Sequence, residues 1–263
     1  MDILQSIILG FIQGIAEWLP ISSTGHLRIA EHYFGLTVPA LFDVMLHLGT
    51  FIVTVAYFRK DILNVLRALL KLNFKSEDGV LIPLIIVGTI PTVIIGFLYG
   101  NELDTALSTV LALGVGFLVS GIILYLSNFG NENKLGITYA DALIIGIMQG
   151  LAIIPSVSRS GFTIAAALLL GVKRERAFKF SFLLSIPSIL GALMLTLYQQ
   201  HAELTTSGVD VTEILVGVMV SIIVSFFALK FLWRLIASKK FYLFAFYCFA
   251  LGAVLMFLSF VGV

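Results

Sequence analysis

Two short stretches of this chain set ionisable side chains among hydroxyls and glycines, inside otherwise apolar sequence. The first runs Gln13-Gly-Ile-Ala-Glu17 and then Trp18-Leu-Pro-Ile-Ser-Ser-Thr-Gly-His26. The second runs Pro155-Ser-Val-Ser-Arg-Ser-Gly-Phe-Thr163. Gln13 and Glu17 are four apart and share one helix face. An acid inside a membrane segment is costly and is functional by default; the plainer reading is a glutamate near a helix end that reaches water. Ser22, Ser23 and Thr24 are N-cap types, and Gly25 permits tight backbone. A helix starting there offers free N–H groups and a positive dipole end to a phosphate. His26, in its first turn, is a candidate base, acid or nucleophile, working with Ser22, Ser23 or Thr24. Arg159 stands alone as a cation in a long apolar region, with Ser156, Ser158, Ser160, Gly161 and Thr163 around it. Its forked donors fit phosphate oxygens; the plainer reading is a salt bridge to Glu17, which can also open around a ligand. The candidate catalytic set is therefore Glu17, Ser23, His26 and Arg159. Ser22, Thr24, Gly25, Ser158, Ser160, Gly161 and Thr163 are candidate phosphate binders. Such an inventory fits binding a phosphorylated group and cleaving it, chiefly through charge stabilisation. His47 and Asp43 read as interfacial, and Lys230 as snorkelling.

The two stretches are copies of each other. Gly10, Gln13, Gly14, Ala16, Ser22 and Gly25 fall, 136 residues later, on Gly146, Gln149, Gly150, Ala152, Ser158 and Gly161. Each copy is an apolar arm, a Pro/Ser/Gly break and a second short arm, over Ile3 to Phe34 and Tyr139 to Gly171. Interrupted segments at matching positions of two halves point to a functional site near the bilayer midplane. Six other stretches are about long enough to cross: Leu41 to Phe58, Val80 to Tyr99, Thr105 to Ser127, Phe178 to Tyr198, Thr212 to Trp233 and Phe241 to Val261. The expected fold is all-α, a polytopic integral membrane protein forming one domain over 1–263. Its repeats, about 1–127 and about 137–263, would each be one re-entrant hairpin plus three spans, with inverted topology. Eight ordinary spans are the alternative.

Composition agrees. The 263 residues are 59% hydrophobic and 12% charged, with mean hydropathy +1.07, against about 25% charged in soluble domains. A net charge of +1 without a basic block gives no reason to expect nucleic acid. The lone Cys248 cannot form an internal disulfide. No Lys or Arg precedes Arg28, so the start reads as mature sequence and not as a signal peptide. Lys and Arg concentrate at Arg59 to Lys75, Lys134, Lys173 to Lys179 and Arg234 to Lys240; Asn101 to Asp104 and His201 to Glu213 have none. The positive-inside rule puts the basic loops in the cytoplasm and both termini outside.

At these motifs, and more weakly at Leu48-Gly-Thr-Phe-Ile-Val and Phe180 to Ala192, the chain resembles the undecaprenyl-diphosphatase family, also called bacitracin-resistance proteins. The resemblance covers essentially the whole chain. It implies a plasma-membrane phosphatase that hydrolyses a polyprenyl diphosphate to the monophosphate and inorganic phosphate, recycling a lipid carrier of envelope glycan synthesis. The family's acidic motif falls on Gln13 and Glu17, its histidine on His26 and its arginine on Arg159. A divalent cation, Mg²⁺ or Ca²⁺, is implied at Glu17 and Gln13, although Gln13 leaves one motif carboxylate. The site is implied to face outward, and a homodimer is possible. Ser156 stands where the family usually has Gly, and Phe162 where it tends to have Ala, so local repacking is expected. A transporter or flippase of polyprenyl phosphate is the competing class, because broken inverted repeats are a transporter design; a membrane scaffold would have little use for Glu17, His26 and Arg159.

Overall fold

A computed structural model describes residues 1–35, 38, 40–107, 109–199 and 210–261. They form eleven α-helices, two short 3₁₀ turns and no strand beyond an isolated Lys134–Val172 bridge. The protein is all-α. The first stretch forms α1 (Ile3–Ala16) and α2 (Ser23–Phe34), and the second forms α7 (Tyr139–Leu151) and α8 (Arg159–Leu169). Between the pairs lie α3 (Ala40–Tyr57), α4 (Arg59–Leu70), α5 (Leu81–Ala106) and α6 (Val110–Leu126); α9 (Arg174–Gln199), α10 (Val211–Ala237) and α11 (Phe244–Val261) follow.

The two first arms start with the same device. The Asp2 carboxylate accepts from Gln5 N–H at 2.7 Å while the Gln5 side chain accepts from Asp2 N–H at 2.9 Å. Thr138 and Asp141 form the equivalent capping box on α7, which satisfies N–H groups that a helix start leaves unpaired. At 14 and 13 residues, α1 and α7 extend only about 20 Å, short of a hydrocarbon core of about 30 Å.

Five helices among the described residues are long and apolar enough to cross a membrane: Leu81–Tyr99, Val110–Phe129, Arg174–Tyr198, Val211–Ala237 and Phe241–Val261. The sixth expected span, α3, qualifies only together with α4, from which it is bent by 74°. Here the sequence reading needs correction, since the basic stretch after Phe58 is a helix and not a loop. Its residues explain this. Arg59, Lys60, Arg67 and Lys71 alternate with Leu63, Leu66, Leu69 and Leu70 at helical spacing, and those four leucines are exposed. The ring at Phe58 is buried among Tyr57, Phe178 and Phe182 and holds the corner.

Packing is reciprocal. Helix α1 lies along α10 and α7 lies along α5, while α6 lies along α11. Glycines set how close the pairs come. A Cβ on Gly10 would fall on the Gly217 carbonyl, and one on Gly146 would fall on the Gly88 carbonyl. One turn later, Gly14 meets Ser221 and Val224, and Gly150 meets Thr92 and Ile95. Hydroxyls lock both seams: Ser225 donates to the Gly14 carbonyl at 3.3 Å and Thr92 to the Gly146 carbonyl at 3.0 Å. Small residues that bring backbones together are how helices associate where lipid is as apolar as leucine. Helix α8 sits deepest, with Ser160 to Leu168 buried throughout.

Gly146→Ala should therefore destabilise the protein by about 1–3 kcal/mol through overpacking. Gly191→Ala, where a Cβ meets nothing within 4 Å, should leave the melting midpoint in detergent unchanged. Thermal unfolding of the two variants side by side checks this.

Candidate active site

The two breaks meet. Glu17, just past the end of α1, pairs through Oε1 with the Arg159 guanidinium at the first position of α8. Ser160 donates to the Trp18 carbonyl at 3.0 Å. A Cβ on Gly25 would press on Ser156, and one on Gly161 would touch Pro20. Cys248 of α11, buried, points its thiol at the Pro20 carbonyl at 3.7 Å.

Glu17 is the centre of this arrangement. Its second oxygen accepts from Ser23 Oγ at 2.7 Å and Gln13 Nε2 at 3.2 Å, and His47 Nε2 stands 3.7 Å away. The Glu17 side chain is 7% exposed, and Arg159, at 24%, keeps an open side. A buried carboxylate held by four partners, one of them a strong cation, is stable as an ion only because all are in place.

Helix starts fall where the sequence placed them. Ser22 caps α2 by accepting from Gly25 N–H at 3.3 Å, and Ser158 caps α8 by accepting from Gly161 N–H at 3.1 Å. Ser22 and Ser156 both adopt positive φ of 66°, a conformation that side chains resist and that gathers at functional sites. Local repacking is expected from the sequence at Ser156; the structure shows a backbone in the left-handed region there, which favours Gly. Phe162 is accommodated by burial in the interior, 4% exposed.

Other expected site residues are placed differently. Thr24 is exposed. Ser158 shares a hydrogen bond with Ser160 at 3.3 Å, and Thr163 donates to the Arg159 carbonyl at 3.0 Å. His26 turns to other partners. Its Nδ1 lies 2.7 Å from the Ser22 carbonyl, so it carries the proton, because a carbonyl only accepts. In the neutral ring, Nε2 then accepts from the Tyr247 hydroxyl at 2.6 Å, with the rings stacked at 5.7 Å. Phe117 closes the third side edge-on at 5.4 Å.

Two residues at the site were missed in the sequence. His47 had been assigned to the interface; it sits beside the weakly matching stretch from Leu48, and its Nδ1 lies 2.9 Å from the Asp43 carbonyl. Tyr247 lies in an apolar run that gives no sign of chemistry. No group of three His, Cys, Asp or Glu side chains assembles among the described residues. Both Glu17 oxygens are taken by Arg159, Ser23 and Gln13 Nε2, and Gln13 Oε1 is buried without a partner; a small hard cation would fit here only with Arg159 displaced and the Gln13 amide oxygen turned toward Glu17.

The profile of the family described as Bacitracin resistance protein BacA matches residues 6–254. The chain belongs to this family. Relatives named undecaprenyl-diphosphatase match it from end to end. That of Carboxydothermus hydrogenoformans is 39% identical over 269 residues, covering 100% of this chain and 99% of its own. That of Desulforapulum autotrophicum is 40% identical over 279 residues, covering 100% of both. A third, from Methanosphaera stadtmanae, is 37% identical over 276 residues, covering 98% of this chain and 99% of its own. Family membership and the five long apolar helices together make this a multi-pass membrane protein.

Ser156→Gly should relieve the positive-φ strain and stabilise the fold by up to about 1 kcal/mol. The expected readout is a higher melting midpoint in detergent, and a lower one would show that the Ser156 hydroxyl contributes more than its backbone costs.

Proposed function

We propose that this chain hydrolyses undecaprenyl diphosphate, or a polyprenyl diphosphate like it, to the monophosphate and inorganic phosphate at the junction of its two breaks. One observation carries the reading: Glu17 and Ser23 from the first break and Arg159 from the second converge there, in a chain whose full-length relatives bear the name of that activity.

The prenyl tail lies along the apolar helices and the diphosphate enters beside Arg159. The guanidinium leaves Glu17 for phosphoryl oxygens, which offer it forked acceptors and more negative charge. The N-terminus of α8 adds its positive end. Glu17, relieved of its cation, takes the proton from the Ser23 hydroxyl already bonded to it at 2.7 Å. Ser23 Oγ, or a water it holds, attacks the distal phosphorus; the bond to the bridging oxygen breaks, and the prenyl monophosphate leaves. If Ser23 attacks, Glu17 passes that proton to the departing monophosphate; water then cleaves the seryl phosphate with Glu17 as base, and the proton Glu17 takes from the water goes to Ser23 Oγ as it leaves. His26, held by the Ser22 carbonyl and Tyr247, would serve as proton donor or acceptor for the leaving side only if its ring leaves Tyr247 when the substrate enters. In the alternative role, Glu17 with Gln13 Oε1 would hold a divalent cation that neutralises charge on the diphosphate, and Glu17 would then not be the base.

Two inverted halves, about 1–127 and about 137–263, account for this convergence. The exchange of α1 onto α10 and α7 onto α5, with matching glycines at both seams, supports that division. In this reading the hairpins are re-entrant, the basic helix α4 lies along the cytoplasmic face of the plasma membrane, and the catalytic junction faces outward with both termini outside. The same architecture favours a second reading as a polyprenyl phosphate transporter, which would release no phosphate in detergent.

Glu17→Gln, Ser23→Ala and Arg159→Ala should each lower phosphate release from a prenyl diphosphate by about 10²–10³-fold, whereas Gln13→Glu should remain active. Wild-type rates in Arg159→Ala would remove the clamp, and no release by folded wild-type protein would favour transport. For topology, a reporter that matures only outside the cytoplasm should be active after Val263 and inactive after Lys239; the reverse pattern would invert the orientation.

A further inference from the structure

A small cleft opens beside the ion pair. Trp18, Arg159, Ser160, Thr163, Ser181, Phe182 and Ser185 line it, and its closed part has room for about one water-sized atom, such as a single oxygen of a group lying at its open mouth. Most of its hydroxyls are already spent as donors: Ser160 on the Trp18 carbonyl, Thr163 on the Arg159 carbonyl and Ser185 on the Phe182 carbonyl. Two polar groups are not. Trp18 Nε1 and Ser181 Oγ are buried without a hydrogen-bond partner, and their residues are 1% and 3% exposed. Leaving a buried donor unpaired is costly, and native proteins rarely do so.

The chemistry of the walls limits what fills the cleft. An indole N–H and a guanidinium only donate, so the occupant must accept. Arg159 brings a positive charge, no carboxylate lines the cleft, and Ser160 and Thr163 belong to the opening turns of α8, where anions are favoured. A phosphoryl group, with negative oxygens on several sides, answers all of these at once. We propose that this cleft is the subsite for the distal phosphoryl group, held first as part of the diphosphate and then as released phosphate, with Trp18 and Ser181 as dedicated donors. The assignment rests on the phosphatase reading for its role, though not for its binding chemistry. Trp18 adjoins Glu17 in sequence, so one turn of chain offers the base on one side of Arg159 and a phosphate donor on the other.

The chain has two tryptophans, so Trp233→Phe leaves Trp18 as the sole indole. Titrating that protein with inorganic phosphate should change its emission, and adding Ser181→Ala should weaken the titration about tenfold or more. In the otherwise wild-type enzyme, Trp18→Phe and Ser181→Ala should raise the inhibition constant for inorganic phosphate and the KM for prenyl diphosphate by a similar factor. Inhibition by prenyl monophosphate, which lacks the distal group, should change less than twofold. An emission unmoved by phosphate, with wild-type constants in both variants, would mean that the cleft holds water only and would overturn the proposal. Equal weakening of mono- and diphosphate would overturn it as well, as a general distortion. If Ser181→Ala fails to fold, the titration of the Trp233→Phe protein still decides. If wild-type enzyme releases no phosphate, yet phosphate moves the Trp18 emission in a Ser181-dependent way, the hydrolase reading falls and the anion subsite stands.

Discussion

The buried pair of Glu17 and Arg159 is the constraint on which the rest of this structure depends. Neither charge is tolerable alone in an apolar bundle, and removing one partner of such a pair typically costs about 3–5 kcal/mol. The pair therefore fixes the two breaks against each other across 142 residues of chain. Everything near it serves that geometry. Proline ends the first arm, Ser22 and Ser158 cap the second arms, and Ser160 ties α8 to the carbonyl beside Glu17. The bundle can hold two helix ends at depth only because their backbone groups find partners in protein.

Bringing the breaks together is the work of the glycine seams. Short arms cannot anchor themselves by spanning the membrane, so each must grip a long helix. Gly10 on Gly217 and Gly146 on Gly88 let backbone approach backbone, and the Ser225 and Thr92 hydroxyls bond across. The register of α1 on α10 sets where Glu17 stands, and that of α7 on α5 sets where Arg159 stands. A shift of one turn, about 5.4 Å, would separate the pair.

Much of this was legible in the sequence because the signals are local or repeated. The arms, their caps and their end points follow from Pro20, Ser22, Gly25 and their copies. The pairing of Glu17 with Arg159 was open in the sequence as the plainer of two readings of a lone cation in an apolar chain, beside a phosphate partner, and the structure shows that pair. What stayed hidden depends on which faces turn toward each other. His47 is indistinguishable in sequence from a histidine at the interface, and Tyr247 from a lipid-facing aromatic, until α3 and α11 are placed. The helical nature of Arg59–Leu70 was masked by its charges, which suggested a loop, while the leucines at helical spacing went unweighed. His26 was read as a neighbour of Glu17 from proximity in sequence, yet the first turn of α2 points its ring toward α11 and α6.

The resting pair also explains how such a site can be both stable and reactive. With Glu17 and Arg159 joined, the centre is close to neutral and tolerates its apolar surroundings. In the proposed reaction a diphosphate would bring more negative charge than one guanidinium can balance, and Arg159 and the N-terminus of α8 would meet it first. Each of these is weak at a wet surface and strong in a low-dielectric interior. Depth in the bundle is then a requirement of the chemistry as well as of the lipid. In the proposed reaction, the carboxylate that pairs with the arginine would be left bonded to Ser23 as its base once phosphoryl oxygens claim the arginine, so the contact that stabilises the fold would also be the start of the chemistry.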